Sequence, residues 1–304
     1  MPEGSGHRGR TKRRLKLFRT KREPRFPELS YAADGDPRLK RWVIHTVEGL
    51  SGRDRYLDLY ETWRARFVGK SDTIMGDLLR LLNVRITRHA KQWPPNEIPD
   101  GPLVLVANHP FGVGDGMASL ALAEELGRPF RVIINKELMK IPEIRPYSLP
   151  VDFNETREAL QTNLQTKKEA LRLLAEGVTI VVFPAGGVAT AKKAFGKAQD
   201  LPWKLFPARL IQSAKATVLP VYFAGQNGPI FHIVSKFSMT LRLSLLIREF
   251  KRFTKSAVHI YIGDFIPYED LAHIKDRQKL TDALHDSVHG LAPERPPHRR
   301  RLSA

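Results

Sequence analysis

The apolar residues of this chain fall into two patterns, short runs and repeats at every third or fourth position. The runs cover residues 103–107, 130–135, 178–183, 217–224 and 258–263. Runs of this length predict strands that are buried on both faces. Helical repeats lie between them, after Gly116 through Glu125, from about Arg157 to Glu176 with Leu160, Leu164, Leu171 and Leu174 on one side, and from Pro207 to Ala214. Strands that alternate with helices predict an α/β fold, a mostly parallel sheet with helices on both faces.

A helical pattern also precedes the first strand, over residues 36–93. Apolar residues recur there at spacings of three and four, at Leu39, Trp42, Val43 and Val47 and then at Tyr56, Leu59, Tyr60, Trp63 and Phe67, with a third helix at Met75 to Leu82. An aromatic stripe at this spacing usually packs inward, so we assign these aromatic residues to the core. We predict an N-terminal helical subdomain at residues 31–100 and a main domain at residues 101–290.

Basic residues are concentrated at the two ends of the chain. The formal net charge is +18, from 50 Lys and Arg against 32 Asp and Glu, and residues 1–25 alone hold ten Lys or Arg against two Glu. Residues 1–30 have too few large apolar side chains to pack a core, and residues 291–304 have the same character, so we predict both to be disordered. Such an arm is either a solubilising tail or an anchor for an anionic membrane surface, and nucleic acid ranks below both as a partner.

Two absences narrow the classes of protein. The sequence contains no cysteine, so disulfides, thiolate metal sites and a cysteine nucleophile are excluded. Charged residues interrupt every candidate run of about 18 to 20 apolar residues, so we expect no bilayer-spanning helix. The basic N-terminus lacks the apolar stretch of a secretory signal, and we therefore expect an intracellular protein. An Arg-rich organellar transit peptide is the alternative, although Glu3, Glu23 and the low serine content disfavour it.

The residues that suggest chemistry follow the first predicted strand. Leu103–Ala107 leads into Asn108, His109 and a glycine-rich turn that carries Asp115. In open α/β sheets ligands bind at the carboxyl ends of strands, and a carboxylate that holds one imidazole nitrogen lets the other act as a general base. The alternative is structural, with His109 capping the strand end and Asp115 capping the next helix. The spacing alone leaves both interpretations open.

Four sequence blocks follow one another in an ordered series from this turn onward. They read HPFGVGDG at 109–116, FPAGG at 183–187, Leu201-Pro202-Trp203-Lys204, and VLPVYFAG at 218–225. Together they resemble the glycerolipid acyltransferases, typified by 1-acylglycerol-3-phosphate acyltransferase, over roughly residues 36–270. The residues of these blocks are similar to those of the haemolysin-like branch of that family, which includes ornithine-lipid acyltransferases.

The resemblance implies an O-acyltransferase that moves a fatty acyl group from a thioester to a lysolipid, either a lysophospholipid or a lyso-ornithine lipid. His109 would be the general base and Asp115 its orienting partner. No metal and no bound cofactor are implied, and the co-substrate would be acyl-CoA or an acyl carrier protein (acyl-ACP). We therefore expect a cytoplasmic enzyme, peripheral on the inner face of the cytoplasmic membrane, whose basic surface meets a negative carrier or an anionic membrane surface.

Substrate contacts are implied where the sequence matches the family's other motifs. These positions are Asn108, Lys136, Arg157, Phe183, Pro184, Gly186 and Gly187. A basic side chain at Lys136 or Arg157 suits a phosphate or carboxylate, although a solvated lysine and a helix-start arginine explain them equally well. Gly186 and Gly187 offer backbone N–H groups to an oxyanion or a head group, or simply form a tight turn.

Two positions depart from the commonest family pattern. Five residues, Pro110 to Gly114, separate His109 from Asp115 where four are usual, and the haemolysin-like branch tends to share the longer loop. Ala185 stands where the usual block has glutamate, which leaves the acceptor open. The segment Ile230–Phe253 alternates bulky apolar and basic residues, so it either lies at a bilayer interface or packs on the sheet. The runner-up hypothesis is a non-catalytic basic protein that retains the fold and binds a membrane or nucleic acid.

Overall fold

A seven-stranded sheet forms the centre of the computed structural model, which describes residues 53–193, 195–234, 245 and 248–294. Its strands are β1 (Arg85–His89), β2 (Leu103–Ala107), β3 (Phe130–Asn135), β4 (Ser148–Val151), β5 (Thr179–Val182), β6 (Thr217–Ala224) and β7 (Ala257–Ile262). Their order across the sheet is β1-β7-β6-β2-β5-β3-β4. Every neighbouring pair is parallel except β6 and β7. The predicted α/β class with a mostly parallel sheet is confirmed.

Helices cover both faces of this sheet. In chain order they are α1 (Arg53–Arg66), α2 (Ile74–Leu81), α3 (Val113–Glu125), α4 (Arg157–Ala175), α5 (Phe206–Ala214), α6 (Pro229–Val234), α7 (Tyr268–Leu271) and α8 (Arg277–His289). Two 3-10 helices, Lys136–Lys140 and Pro142–Tyr147, connect β3 to β4. Residues 248–253 add a further helical stretch. Within the described ranges, no helix combines the length and apolar character needed to cross a membrane.

Strand β2 shows how the sheet is buried on both sides. All five of its residues are fully buried. Leu103, Leu105 and Ala107 point into a core cluster shared with α1, α2 and α3. Val104 and Val106 point into the opposite cluster, shared with α4, α5 and α8. Burial of one such aliphatic side chain contributes about 1.5–3 kcal/mol to the stability of the fold. Packing on both faces therefore stabilises β2, the strand that leads to His109.

The structure confirms most of the predicted strands. β2, β3 and β6 have the predicted bounds, and the ends of β5 and β7 differ from the prediction by one residue. The prediction lacks both edge strands, because β1 carries polar and basic residues and β4 contains Pro150, features that suit a sheet edge and mask the apolar signal. It also lacks α8, although Leu280, Leu284 and Val288 recur there at four-residue spacing and are buried.

The described part of the predicted helical subdomain packs directly on the main sheet. Trp63 of α1 lies in the same cluster as α3, and its Nε1 donates to the Ile74 carbonyl at 2.7 Å. The Glu124 carboxylate of α3 accepts hydrogen bonds from the backbone N–H groups of Met75 and Gly76, at 2.8 and 3.0 Å. Glu124 thereby caps the start of α2. The domain division at residue 100 stays a prediction.

Some predicted features lie outside the described residues. They are the basic arm at 1–30, the helix around Leu39 to Val47, positions 235–244 and 246–247 of the predicted amphipathic segment, and the basic tail from residue 295 onward. Within that amphipathic segment, residues 229–234 form α6 and Phe253 is buried against the sheet. The packed interpretation therefore holds for Phe253.

Candidate active site

The carboxyl ends of β2, β3, β4, β5 and β6, which run in one direction, lie at one edge of the sheet, and the residues after β2 lie near its middle. Asn108 fixes this end of β2. Its Nδ2 donates to the Phe223 carbonyl at 3.0 Å, and its Oδ1 accepts from the Phe223 N–H at 2.7 Å. Asn108 is buried, and both ends of its amide are bonded to β6. This predicted substrate contact therefore fixes the point at which His109 leaves the sheet.

His109 and Asp115 come together as a pair. His109 Nδ1 lies 2.9 Å from Asp115 Oδ1, and the exposed fractions of the two side chains are 17% and 0%. The other carboxylate oxygen, Asp115 Oδ2, accepts from the backbone N–H groups of Phe111 and Gly112, at 2.7 and 3.3 Å. One carboxylate thus binds backbone N–H groups at the start of α3 and contacts the imidazole, while the catalytic role of the pair stays a prediction. With Nδ1 toward Asp115, Nε2 is the nitrogen that can accept a proton from a substrate.

The loop between these two residues depends on its glycines at two points. Gly112 has a φ of +82°, a conformation that side chains rarely adopt. A Cβ added at Gly114 would lie 2.5 Å from the ring of Phe253, which is itself buried. α3 therefore begins at Val113, earlier than the helical pattern after Gly116 predicts, because Gly114 lets the first turn pack against Phe253.

The FPAGG turn at 183–187 lies against the base. The ring of Phe183 packs on the ring of His109, with 4.4 Å between centroids. Pro184 and Ala185 are buried, so a methyl group occupies the position where the family block has glutamate. Gly186, with a φ of +64°, donates its N–H to the Phe183 carbonyl at 3.0 Å and closes the turn. Gly187 follows and is half-buried.

Lys136 lies at the end of β3, next to the end of β4. Its Nζ forms an ion pair with Oδ2 of Asp152, which is buried, whereas Lys136 is half-exposed. Asp152 Oδ1 accepts from the Asn154 N–H and Nδ2, at 3.0 and 2.8 Å. The bond from Lys136 lowers the pKa of Asp152, and the same bond raises the pKa of Lys136. The sequence prediction did not include Asp152, which holds the lysine head group in place.

Arg157 is the first residue of α4 and is exposed. Thr156 caps the helix by accepting the Ala159 N–H at 3.1 Å, so Arg157 is not needed for that purpose. No acidic side chain in the described ranges forms an ion pair with Arg157. Nearby Phe153 reaches the FPAGG turn, since a Cβ at Gly186 would lie 3.0 Å from its ring. The segment between β4 and α4 therefore borders the site of His109.

Asp200 is a residue that the sequence prediction missed. Its Oδ1 accepts from the His109 N–H at 3.2 Å, its Oδ2 accepts from Trp203 Nε1 at 3.0 Å, and His289 Nε2 lies 3.5 Å away. Burial raises the pKa of Asp200, but the contacts with His289, Trp203 and the His109 N–H together bring this pKa below its usual value. The block at 201–204 was the available signal, because Asp200 directly precedes it.

Within the described ranges, no group of three or more His, Asp or Glu side chains is placed to hold a metal ion. The titratable groups at this edge are instead arranged in pairs, a carboxylate with an imidazole or with a lysine. Such pairs can take up a proton and stabilise the resulting charge, or bind an anion. This arrangement suits proton transfer from a hydroxyl group next to a basic binding region.

Comparison with known proteins gives two findings. A family model described as Acyltransferase matches residues 95–261, more than half of the chain. Among solved structures, the chain is similar to the 1-acyl-sn-glycerophosphate (LPA) acyltransferase PlsC from Thermotoga maritima, with 19% identity over 83% of this chain and 92% of that chain and a TM-score of 0.47. No curated protein matches the chain. The region matched by the family model includes His109, Asp115 and the turn at 183–187.

Proposed function

Since the chain belongs to the acyltransferase family, we propose that it transfers a fatty acyl group from an acyl thioester to the hydroxyl of a lysolipid. The observation that carries the proposal is the contact of 2.9 Å between His109 and the fully buried Asp115. A hydroxyl is a weak nucleophile at neutral pH and needs a base within hydrogen-bonding reach. The pair supplies that base at the edge of the sheet where ligands bind.

In the proposed reaction, His109 Nε2 accepts the proton of the acceptor hydroxyl while the hydroxyl oxygen attacks the thioester carbonyl carbon. Asp115 stabilises the imidazolium that forms. The tetrahedral intermediate then collapses, the carbon–sulfur bond breaks, and the proton passes from His109 to the leaving thiolate. The products are the acylated lipid and the free thiol of coenzyme A or of an acyl carrier protein.

The tetrahedral intermediate carries a negative oxygen that needs hydrogen-bond donors. Of the two glycines in the FPAGG turn, Gly186 already uses its N–H within the turn. We assign the donor role to the N–H of Gly187, which follows directly. Phe183, packed on the His109 ring, would keep water from this side of the base.

We assign the head group of the acceptor to Lys136 and Arg157. Both lie at the same edge as His109, after β3 and β4, and both are at least partly exposed. A phosphate or carboxylate would complement the charge of either side chain. With alanine at 185 instead of glutamate, the acceptor is bound without a carboxylate at that position, and a phosphate and an ornithine head group are both compatible with these two cations.

Exposed apolar side chains support action at a membrane surface. In the described residues the large ones are Val113, Phe153, Leu160, Leu164, Phe195, Ile230 and Ile233. Each belongs to a connection or helix that follows the carboxyl end of β2, β4, β5 or β6, which is the edge that carries His109. The exposed Lys193 and Lys197 flank Phe195. Apolar groups beside basic ones are typical of surfaces that bind anionic bilayers, so we place the site against the inner face of the cytoplasmic membrane.

The proposal is tested with purified protein, a radiolabelled acyl donor as acyl-CoA or acyl carrier protein, and a panel containing lysophosphatidate and lyso-ornithine lipid. We expect acylated product from the wild type and none above background from His109→Ala. His273→Ala, at an exposed histidine in the loop before α8, is the matched control and should keep full activity. Equal turnover by wild type and His109→Ala would refute the mechanism.

The second candidate, a non-catalytic lipid-binding protein, is favoured by Ala185, where a family carboxylate is missing. Co-sedimentation with anionic vesicles separates the two functions. Leu160→Ser with Leu164→Ser should weaken vesicle binding several-fold, whereas Gln161→Ser with Gln165→Ser on the same helix should not. Vesicle binding without turnover on the whole panel would favour the second candidate.

A further inference from the structure

A second carboxylate, that of Asp200, contacts the main chain of His109, the candidate base. After the FPAGG turn the chain forms a loop in which Thr190 and Gln199 make an antiparallel bridge, with both hydrogen bonds at 3.0 Å. The bridge returns the chain to the end of β2, where Asp200 accepts the His109 N–H at 3.2 Å. On the other side, the Ala189 N–H donates to the His109 carbonyl at 2.8 Å. The same loop therefore forms hydrogen bonds with both the N–H group and the carbonyl group of His109.

Asp200 is itself held from two further directions. Its Oδ2 accepts from Trp203 Nε1 at 3.0 Å and lies 3.5 Å from His289 Nε2. Only 4% of the Asp200 side chain is exposed, against 29% of the His289 side chain. The carboxylate is thus shielded from water, whereas part of the His289 ring is exposed.

His289 is the last residue of α8, a helix that lies against α5 and β6. The groups around its ring are Asp200 from the loop before α5, Trp203 with centroids 6.0 Å apart, Tyr222 of β6 at 5.7 Å, and, on its own helix, His285 at 4.2 Å, whose Nδ1 lies 3.2 Å from Asp286 Oδ1. Burial, and next the charge of Asp200, raise the pKa of Tyr222, so this phenol stays neutral. Asp200 is the buried acid of the group and the one that touches the His109 backbone.

We propose that Asp200 is a positioning residue that fixes the His109 main chain and whose charge, balanced by His289, tunes how readily the His109 ring takes up a proton. The inference rests on the proposed role of His109 as general base. A buried negative charge favours the protonated form of a nearby imidazole, and a cation beside that charge weakens the effect. Removal of the Asp200 charge and removal of the His289 charge should therefore act on the reaction's pH dependence in opposite directions.

The test measures how kcat/KM depends on pH in the wild type and in two variants. Asp200→Asn keeps the size and an acceptor oxygen but removes the charge, and it should move the acid limb of the profile to lower pH by about 0.5. His289→Gln removes the balancing cation and should move the same limb to higher pH by a similar amount. His273→Gln, at an exposed histidine in the loop before α8, is the matched control and should leave the profile in place.

The positioning role has its own measurements. Asp200→Ala should lower kcat by about 10-fold to 100-fold and leave KM for both substrates within about twofold, because a displaced base slows the chemical step more than it weakens binding. Hydrogen–deuterium exchange of a peptide covering residues 107–112 reports on the His109 amide without any turnover. That amide should exchange at least about tenfold faster in Asp200→Ala than in wild type.

Each outcome decides the inference. An acid limb that stays in place, or moves the same way in Asp200→Asn and His289→Gln, would overturn it, as would unchanged exchange of the His109 amide in Asp200→Ala. If circular dichroism shows that the Asp200 variants do not fold, Trp203→Phe, which removes one donor to Asp200, must speed that exchange for the inference to stand. Activity that survives His109→Ala would instead refute the proposed function, and the exchange measurement would still decide whether Asp200 holds the amide.

Discussion

At the end of β2, His109 and Asp115 are held by buried groups and backbone amides, whereas at the ends of β3 and β4 Lys136 and Arg157 reach into solvent. The first set, with Asn108 and Asp200, is here termed the base half of the edge. Its polar contacts are to fixed backbone atoms of β6, the α3 turn and the loop after β5, or to buried side chains. The second set, Lys136, Asp152 and Arg157, is termed the acceptor half.

The acceptor half has a single buried anchor, Asp152, and its cations lie on flexible side chains. A chemical step needs a base whose position is fixed within a fraction of an ångström, so rigidity belongs where the proton moves. A head group is recognised mainly by charge and tolerates more movement. Under the proposed function, the base half would therefore define the reaction, and the acceptor half is where the choice of lipid could change without altering it.

The largest effect should follow from a change in the base half. Asp115→Asn removes the charge that stabilises the imidazolium, and we expect kcat to fall by about 10²–10⁴ with little change in KM. An amide oxygen can still accept one of the N–H groups of Phe111 and Gly112, so the α3 turn should persist. Steady-state kinetics and a thermal melt check the two expectations. If the residual activity of His109→Ala differs by more than a few-fold from that of a variant that carries both His109→Ala and Asp115→Asn, the two residues do not act as a unit.

The rigidity of the base half can be broken at Gly114. Gly114→Ala would place a methyl group 2.5 Å from the Phe253 ring, and overpacking of this kind costs about 1–3 kcal/mol. Gly116→Ala is the matched control two residues further along α3, because a Cβ there meets nothing within 4 Å and alanine favours the helix. Urea unfolding should show a lower midpoint for Gly114→Ala only. Equal midpoints would mean that the loop adapts and that the base half is less rigid than the contact implies.

Some contacts of the two halves could be predicted from the sequence, and others could not. The His109 and Asp115 pair was predictable because both residues lie within one strand-turn-helix unit, where spacing limits the geometry. Asp200 was not, since it lies 91 residues from His109 along the chain and reaches it only through the bridge at Thr190 and Gln199. The same holds for Asp152, whose contact with Lys136 depends on β4, a short strand that its proline concealed.

The fold shows a similar division. Strands buried on both faces, such as β2 and β6, stand out because nearly all of their residues are apolar, and their bounds were predictable. Edge strands β1 and β4 each pair on one side only, so hydrogen bonds to a single neighbour, rather than side-chain burial, define them. No local pattern of hydrophobic residues reports such a pairing. Helix α8 could have been predicted from the spacing of Leu280, Leu284 and Val288, but no local pattern reports that its last residue, His289, lies beside Asp200.

In the acceptor half, Lys136→Met should raise KM for the lysolipid about tenfold and leave kcat nearly unchanged. It should also change the pH dependence of stability. Lys136 lowers the pKa of Asp152, so the pair stabilises the fold above the ordinary value of 3.8, and this contribution is lost as pH falls through the lowered pKa. At alkaline pH the ion pair stabilises the fold until the pH rises above 10.5, the ordinary pKa of lysine, because the pKa of Lys136 is raised.

The midpoints of urea unfolding at pH 7, 4 and 2 test this predicted pH dependence of stability. The urea midpoint of the wild type should exceed that of Lys136→Met at pH 7, and the gap should narrow as pH falls below 3.8, because protonation of Asp152 removes the ion pair. Lys140→Met is the matched control, since Lys140 pairs with Glu137 of the same 3-10 helix and about half of each side chain is exposed. A gap that persists unchanged at pH 2 would show that Lys136 acts through packing of its side chain instead of its charge.

The smallest change should come from Arg157, the most exposed member of the acceptor half. Arg157→Gln keeps the capped start of α4, so stability should not change, and we expect KM for an anionic lysolipid to rise about threefold to tenfold with kcat unaffected. Arg172→Gln, on the same helix but paired with Glu169 and Glu176, is the matched control. Comparison of lysophosphatidate with lyso-ornithine lipid sharpens the result, because a phosphate can engage both Lys136 and Arg157. A rise in KM for lysophosphatidate alone would assign Arg157 to a phosphate, whereas unchanged KM for both lipids would remove it from the acceptor half.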